Sequence, residues 1–330
     1  MCGFLVVGSS ELELQVFNDA LNQAAYRGPD HQHVSINNGI AWGFNRLSIM
    51  DLSSKGNQPF VYKDCVLVCN GEIYNYHSLK AMLETDYTFK SGSDCEVLIP
   101  LYHKYGIEIL CKFLDAEFAM VIYDAKKDKI LAARDPMGIR PMFYGYHKED
   151  GKICFASEAK GLFPLCQEIM PFPPGHYYED GKFICYNDLS NPKTISNDDL
   201  ETIATNLRLK LEKAVKKRLQ SDAPIGYLLS GGLDSSLVCA IAARLNDQPI
   251  KTFAIGMDTD PIDLKYAKQV ADYLGTDHTE VIMTKEDLLE NLRDVIFHLE
   301  TYDITTIRAS MAMYLLCKYI HEKTDLKVIL

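Results

Sequence analysis

Cys2 is the residue of this sequence with the most obvious chemistry. Aminopeptidases remove an initiator Met that precedes a small side chain. Cys2 would then carry a free α-amine on the same carbon as its thiol-bearing Cβ. An α-amine with a pKa of ~8 can take the thiol proton near neutral pH, so one residue supplies nucleophile and base. By itself a second-position Cys carries little weight, but four later segments give it company. Tyr26-Arg27-Gly28-Pro29-Asp30 is a rigid turn flanked by charge, and Asn45-Arg46-Leu47-Ser48-Ile49-Met50-Asp51 offers a guanidinium at a strand end. Cys69-Asn70-Gly71-Glu72-Ile73-Tyr74-Asn75 is expected to end a strand in an Asn-Gly turn, where the Asn70 amide and the Gly71 N–H could stabilise an oxyanion. Ser91-Gly92-Ser93-Asp94-Cys95-Glu96 opens a helix with acidic groups in its first turn.

A second constellation is Leu228-Leu229-Ser230-Gly231-Gly232-Leu233-Asp234-Ser235-Ser236, expected between a strand and a helix. Backbone N–H groups of a Gly-rich loop, with hydroxyls and a helix N-terminus, make an anion cradle. It lacks the G-x-x-x-x-G-K-[ST] pattern, so a Walker ATPase is not indicated.

Cys2-Gly3, RGPD, RLSIMD, NGEIYN and SGSDCE resemble the class II glutamine amidotransferase domain of the N-terminal-nucleophile superfamily, which hydrolyses glutamine through a γ-glutamyl thioester. The resemblance implies Cys2 as nucleophile and base, Arg46 on the substrate carboxylate, Asp94 on its ammonium, and Asn70 with Gly71 as oxyanion hole. Residues around Leu47, Ser48, Ile49 and Met50, with Glu72, would complete the pocket. A zwitterion needs one cation and one anion, and a bidentate Arg suits a carboxylate. The SGGLDSS loop is similar to the pyrophosphate loop of ATP pyrophosphatases. That likeness implies Ser230, Gly231, Gly232, Leu233, Asp234, Ser235 and Ser236 on the phosphates, Leu228 and Ile255 at the nucleotide, and Asp234 as a Mg²⁺ partner.

Both modules in this order, with PFPPGHYY, TFAIGM and LETYDITTIRAS, resemble the glutamine-hydrolysing asparagine synthetase family over essentially all 330 residues. The implied reaction joins aspartate and ammonia from glutamine, at the expense of ATP, through a β-aspartyl-AMP intermediate and an internal ammonia tunnel. The family carries a second phosphate motif after the strand at 326–330, together with a further helical region. The expectation is therefore a C-terminally truncated chain, and the alternative function is glutaminase activity alone or a non-synthesising partner module. Sugar and nucleotide amidotransferases are opposed by the SGGLDSS loop, and β-lactam synthetases by Cys2.

The elements that must hold these residues fall into two sets. Strands are expected at 4–7, 39–45, 65–69, 118–123, 130–133 and 153–156, and helices at 11–25, 77–84 and 95–105. This is the pattern of an α+β domain of layered antiparallel sheets covered by helices, over residues 1–190. A polar stretch, 186–199, reads as a linker. Beyond it, helices at 200–220, 235–245, 264–274, 288–299 and 308–321 alternate with strands at 225–229, 251–257, 278–283 and 326–330. That rhythm predicts an α/β doubly wound parallel sheet over residues 191–330.

The bulk numbers close off other classes. A net charge of -11 argues against general nucleic-acid binding. No run approaches the ~18 to 20 apolar residues of a membrane span, and the start lacks a secretory signal, so a cytoplasmic protein is expected. The ten Cys include no C-x-x-C pair and read as reduced thiols without a zinc site. If the protein self-associates, a homodimer is the expected form.

Overall fold

The computed structural model describes residues 1–330 apart from Ser10, Lys193 and Asp260. The chain divides into two compact units, Met1–Ile195 and Ser196–Leu330.

The first unit holds two six-stranded sheets in which every strand pair is antiparallel. One contains β1 (Gly3–Val7), β2 (His31–Asn37), β3 (Ile40–Arg46), β8 (Phe143–His147), β9 (Ile153–Ala156) and β10 (Cys166–Pro171), in the order β10-β8-β9-β1-β3-β2. The other contains β4 (Phe60–Tyr62), β5 (Cys65–Ile73), β6 (Ala116–Asp124), β7 (Lys129–Arg134), β11 (His176–Glu179) and β12 (Lys182–Cys185), in the order β12-β11-β7-β6-β5-β4.

Strand periodicity sorts the apolar side chains into three layers. Phe4 and Val6 of β1 pack with Val66 and Val68 of β5 and Ala119 and Val121 of β6, so the sheets lie face to face. Leu5 and Val7 turn the other way, onto Phe17, Ala20 and Leu21 of α1 (Leu14–Asn22). Leu67 and Cys69, with Phe118 and Met120, turn outward onto α2 (Tyr76–Leu83) and α3 (Leu98–Phe113). Both faces of both sheets are thus buried, which is why these strands read as unbroken apolar runs rather than alternating ones.

Two expectations need correcting. The strand at 65–69 does not end in an Asn-Gly turn: β5 continues through Asn70 and Gly71, which pair with Ala119 and Phe118 of β6. A Cβ on Gly71 would stand 2.7 Å from the Glu117 carbonyl oxygen, so here Gly serves close strand approach. The helix expected over 95–105 is a 3-10 turn (Asp94–Val97) running into α3, with Gly106 at φ 78° interrupting it. β2, β4, β8, β10, β11 and β12 were not anticipated.

The second unit contains α4 (Leu200–Arg218), β13 (Ile225–Leu228), α5 (Leu233–Leu245), β14 (Lys251–Met257), α6 (Ile262–Leu274), β15 (Asp277–Met283), α7 (Lys285–Leu299), α8 (Ile304–Lys323) and β16 (Val328–Ile329). Its four strands are parallel, in the order β15-β14-β13-β16. Tyr227, Leu229 and Ala254 pack on α4, α5 and α6, while Phe253 packs on Leu316 and Ile320 of α8. Helices therefore cover both faces, as in a doubly wound sheet. Among the described residues, no helix is long and apolar enough to cross a membrane.

Candidate active site

β1 is a central strand, held between β3 and β9, and it presents Cys2 at its start. By strand parity Cys2 shares the face of Phe4 and Val6, and it packs at the edge of the layer between the sheets. The Leu47 N–H donates to Cys2 Sγ at 3.4 Å, and the thiol donates to the Leu47 carbonyl at 3.5 Å. Burial pushes the Cys2 thiol pKa up, so the thiol needs a base to lose its proton. Burial, reinforced by Arg27 and Arg140, brings the N-terminal amine of Met1 down to about 5. Such a setting favours the uncharged form of an amine, the form able to accept a proton.

Asn70 shares the inter-sheet face with Val66 and Val68, is buried, and its Nδ2 finds no hydrogen-bond partner among the described residues. Residues 64 and 74 make ladder bonds with β6, so by parity the N–H groups of 69, 71 and 73 point away from it. The Cys69 N–H goes to Gln58 Oε1 at 2.6 Å and the Ile73 N–H to Asp94 Oδ2 at 2.6 Å. The Gly71 N–H stands between them and meets no acceptor among the described residues. An unpartnered buried amide beside an outward-facing N–H is a donor pair without an acceptor, a costly arrangement unless a ligand completes it.

Asp94 is buried and its carboxyl is pushed up to about 6, chiefly by burial, against the Ile73 and Cys95 N–H groups. Glu72 is raised as well, by burial and then by the nearby Asp94. Glu96, named with Asp94 in the sequence motif, does something else. It is buried and accepts from Tyr87 Oη, the Lys90 and Ser91 N–H groups and Ser91 Oγ, fixing the loop that leads to Asp94. Asp51 ties the same loop to the segment after Arg46 through the Gly92 N–H at 2.8 Å.

Arg46 is buried and wrapped by that segment. Nη1 donates to the Ser53 carbonyl and to Asn57 Oδ1, each at 2.7 Å; Nη2 donates to the Met50 carbonyl at 3.3 Å and to the Asp51 carbonyl. All of these acceptors are neutral, so the guanidinium keeps its charge while four of its hydrogens are committed. Leu47, Ser48, Ile49 and Met50 follow it; the Ser48 N–H donates to Asp30 Oδ2 at 2.7 Å, which joins the RGPD turn to this loop.

Three charged residues escaped sequence reasoning. Arg140 is buried, donates to Glu117 Oε1 at 2.8 Å, and has an unpartnered Nε. Glu117 pairs in register with Glu72 across β5 and β6. Glu158 follows β9 and binds Arg27. The run RDPMGIRP was the available signal for Arg140, because Asp135 gathers the Met137, Ile139 and Arg140 N–H groups into a tight loop.

In the second unit, Gly232 caps α5 without a side-chain bond, leaving the first-turn N–H groups beside Leu233, Asp234 and Ser235 open. Ser230 Oγ and Ser235 Oγ lie 3.0 Å apart, the Ser230 N–H donates to Ser235 Oγ at 3.2 Å, and Ser236 Oγ is buried without a partner. Gly231 has φ +77°, which turns the chain sharply into the helix. Leu228 ends β13 and Ile255 lies on the neighbouring β14, both half-buried. This donor set fits a phosphate. It does not make a metal site: among the described residues no group of three His, Cys, Asp or Glu could hold an ion, and Asp234 stands by itself.

The first unit, an antiparallel double sheet with Cys2 at the head of a central strand, and the second, a parallel α/β unit with a Gly-rich anion loop, have the fold class of an N-terminal-nucleophile amidotransferase domain followed by an ATP pyrophosphatase-type domain. Residues 1–175 match the family described as glutamine amidotransferase domain, to which the chain belongs, and residues 206–330 match the asparagine synthase family. The chain is 41% identical over 356 residues to a probable glutamine-hydrolysing asparagine synthetase of Schizosaccharomyces pombe, covering 97% of this chain and 62% of that protein. It is 42% identical over 312 residues to asparagine synthetase B of Escherichia coli (89% and 56%), and 39% identical over 366 residues to the mouse asparagine synthetase (100% and 64%). The chain spans roughly three fifths of the length of these curated relatives.

Proposed function

We infer that this protein is a glutamine-hydrolysing asparagine synthetase, with glutaminase chemistry in residues 1–190 and ATP-dependent synthesis in residues 191–330. The observation that carries the reading is the Cys2 thiol at the head of a central strand, on the inter-sheet face it shares with an unpartnered Asn70 amide. Once Met1 is removed, the Cys2 amine takes the thiol proton and Sγ attacks the glutamine side-chain carbonyl. Asn70 Nδ2 and the Gly71 N–H stabilise the oxyanion. The amine returns the proton to departing ammonia, and water releases glutamate from the thioester. Arg46 attracts the substrate carboxylate, Asp94 and Glu72 face its ammonium, and the backbone at Leu47, Ser48, Ile49 and Met50 lines the pocket.

The loop Ser230 to Ser236 supports ATP binding, with Leu228 and Ile255 flanking the nucleotide. The β-carboxylate of aspartate displaces pyrophosphate from ATP, and ammonia then displaces AMP to give asparagine. In this reading Asp234 would help to hold a Mg²⁺ ion brought by the nucleotide, which would offset phosphate charge. The substrates are glutamine, aspartate and ATP. The assembly is a homodimer in the cytoplasm, where the ten thiols stay reduced. The deciding experiment is Cys2→Ala. Glutamate release from glutamine should vanish, while aspartate- and ammonia-dependent pyrophosphate release continues. Hydrolysis at the wild-type rate would remove Cys2 from the mechanism.

A further inference from the structure

Next to the Cys2 backbone lies a buried charge cluster to which the glutaminase reading gives no role. Arg27 Nε donates to the Cys2 carbonyl at 2.9 Å, and its Nη1 donates to Glu158 Oε1 at 2.9 Å. The second Glu158 oxygen accepts from Lys160 Nζ at 2.6 Å and from Tyr26 Oη at 2.5 Å, and Lys160 also donates to Tyr26 Oη at 2.9 Å. Side-chain exposure is 9% for Arg27, 7% for Glu158 and 9% for Lys160. Burial opposes ionisation of Glu158, but Lys160, Tyr26 and Arg27 outweigh it and hold the carboxyl below its usual range. The carboxylate is therefore charged, and two cations share it.

The strands explain the placement. β1 and β9 pair Leu5 with Ala156; the Phe4 N–H donates to Ser157 Oγ and the Ser157 N–H to the Phe4 carbonyl, each at 3.0 Å. The next position brings Glu158 opposite Gly3. A Cβ on Gly3 would lie 3.2 Å from Arg27 Cδ, so the Gly after the nucleophile leaves a lane along which the Arg side chain crosses to the Cys2 carbonyl. Arg27 Nη2 is buried there with no partner among the described residues. A surface ion pair would do none of this. Here a carboxylate about 130 residues distant in sequence holds one arm of the guanidinium so that the Nε–H is aimed at the backbone of Cys2.

We propose that Glu158 is a positioning residue for the glutaminase reaction: it anchors Arg27, whose Nε fixes the Cys2 carbonyl and with it the direction of the thiol and the α-amine. Tyr26 and Lys160 hold Glu158 itself in place. The proposal rests on Cys2 being the nucleophile, and the experiment separates the two ideas. In the full chain with Met1 removed, glutamate release is measured for Glu158→Gln, Arg27→Lys and Cys2→Ala, with thermal melts to show that each is folded. Displacing the thiol by a fraction of its working geometry should lower kcat about 10²-fold in both Glu158→Gln and Arg27→Lys. KM for glutamine should stay within roughly twofold, because the groups that bind it are untouched. A folded Glu158→Gln with wild-type kcat, or with its loss entirely in KM, overturns the positioning role. If Glu158→Gln fails to fold, Arg27→Lys decides: it keeps the charge and loses the fork, so wild-type kcat there overturns the proposal equally. Hydrolysis surviving in Cys2→Ala would instead sink the nucleophile assignment. Loss in Cys2→Ala with undiminished kcat in the other two would sink only the role of Glu158.

Discussion

The two candidate sites are built in opposite ways. Around Cys2 nearly every contact is distant in sequence: Leu47 on the thiol, Arg27 on the carbonyl, Ser157 on the next strand residue, Asp94 on Ile73. The loop at Ser230 is local, its hydrogen bonds running among Ser230, Gly232 and Ser235. The first site is buried and held from four directions; the second is a largely exposed turn, with its donors facing outward. The candidate glutamine pocket is thus a product of the whole first unit, whereas the hydrogen bonds of the anion loop come from one strand-turn-helix joint. Damage far away in sequence should reach the first and spare the second.

The sharpest way to break this contrast is Asn70→Ala, which removes the proposed oxyanion donor from a site already organised around it. Its kcat for glutamine hydrolysis should drop about 10²- to 10³-fold. A loss below tenfold would make the unpartnered amide a packing defect rather than a donor. Gly231→Ala tests the local site. At φ +77°, with a Cβ 2.5 Å from the Tyr266 carbonyl carbon, Ala should destabilise the second unit by about 1–3 kcal/mol in a denaturant melt. Glutamine hydrolysis should be unchanged, and an equal fall in both would erase the distinction between the sites. The smallest effect is a pH limb. Asp94, raised to about 6, is ionised above that pH and neutral below it. kcat/KM for glutamine should therefore hold steady above pH 6 and fall about tenfold per pH unit beneath it. A flat profile down to pH 5 would take Asp94 out of the pocket.

The same contrast decided what the sequence revealed. The alternation of strand and helix in the second unit was legible because each element carries its own period and its turn chemistry lies between. In the first unit the strands buried on both faces announced themselves as apolar runs. His31–Asn37, sheet-edge and polar as HQHVSIN, did not, and neither did the short β10, β11 and β12. Cys2, Asn70 and Asp94 were visible through their flanking motifs. Glu158 and Arg140 were not, because a charged side chain after a strand looks like a surface residue until the fold shows what it faces. Asn-Gly misled for a related reason: the pair is the strongest short hairpin signal, yet here β6 claims both residues as strand.

The central position of β1 has a consequence for synthesis of the protein. The ribosome makes β1 first, but its partner β9 exists only after residue 156 has been added, a wait on the order of ten seconds at roughly 5–20 residues/s. During that interval β1 can pair with β3, which is complete after residue 46, but its β9 edge stays free and its N-terminus stays open to an aminopeptidase of the kind the proposed mechanism requires. When β9 zips in, β1 becomes a central strand fixed between two neighbours. The N-terminal processing that the proposed mechanism needs can in this sense begin before its sheet is complete, and a tag fused ahead of Met1 would prevent it.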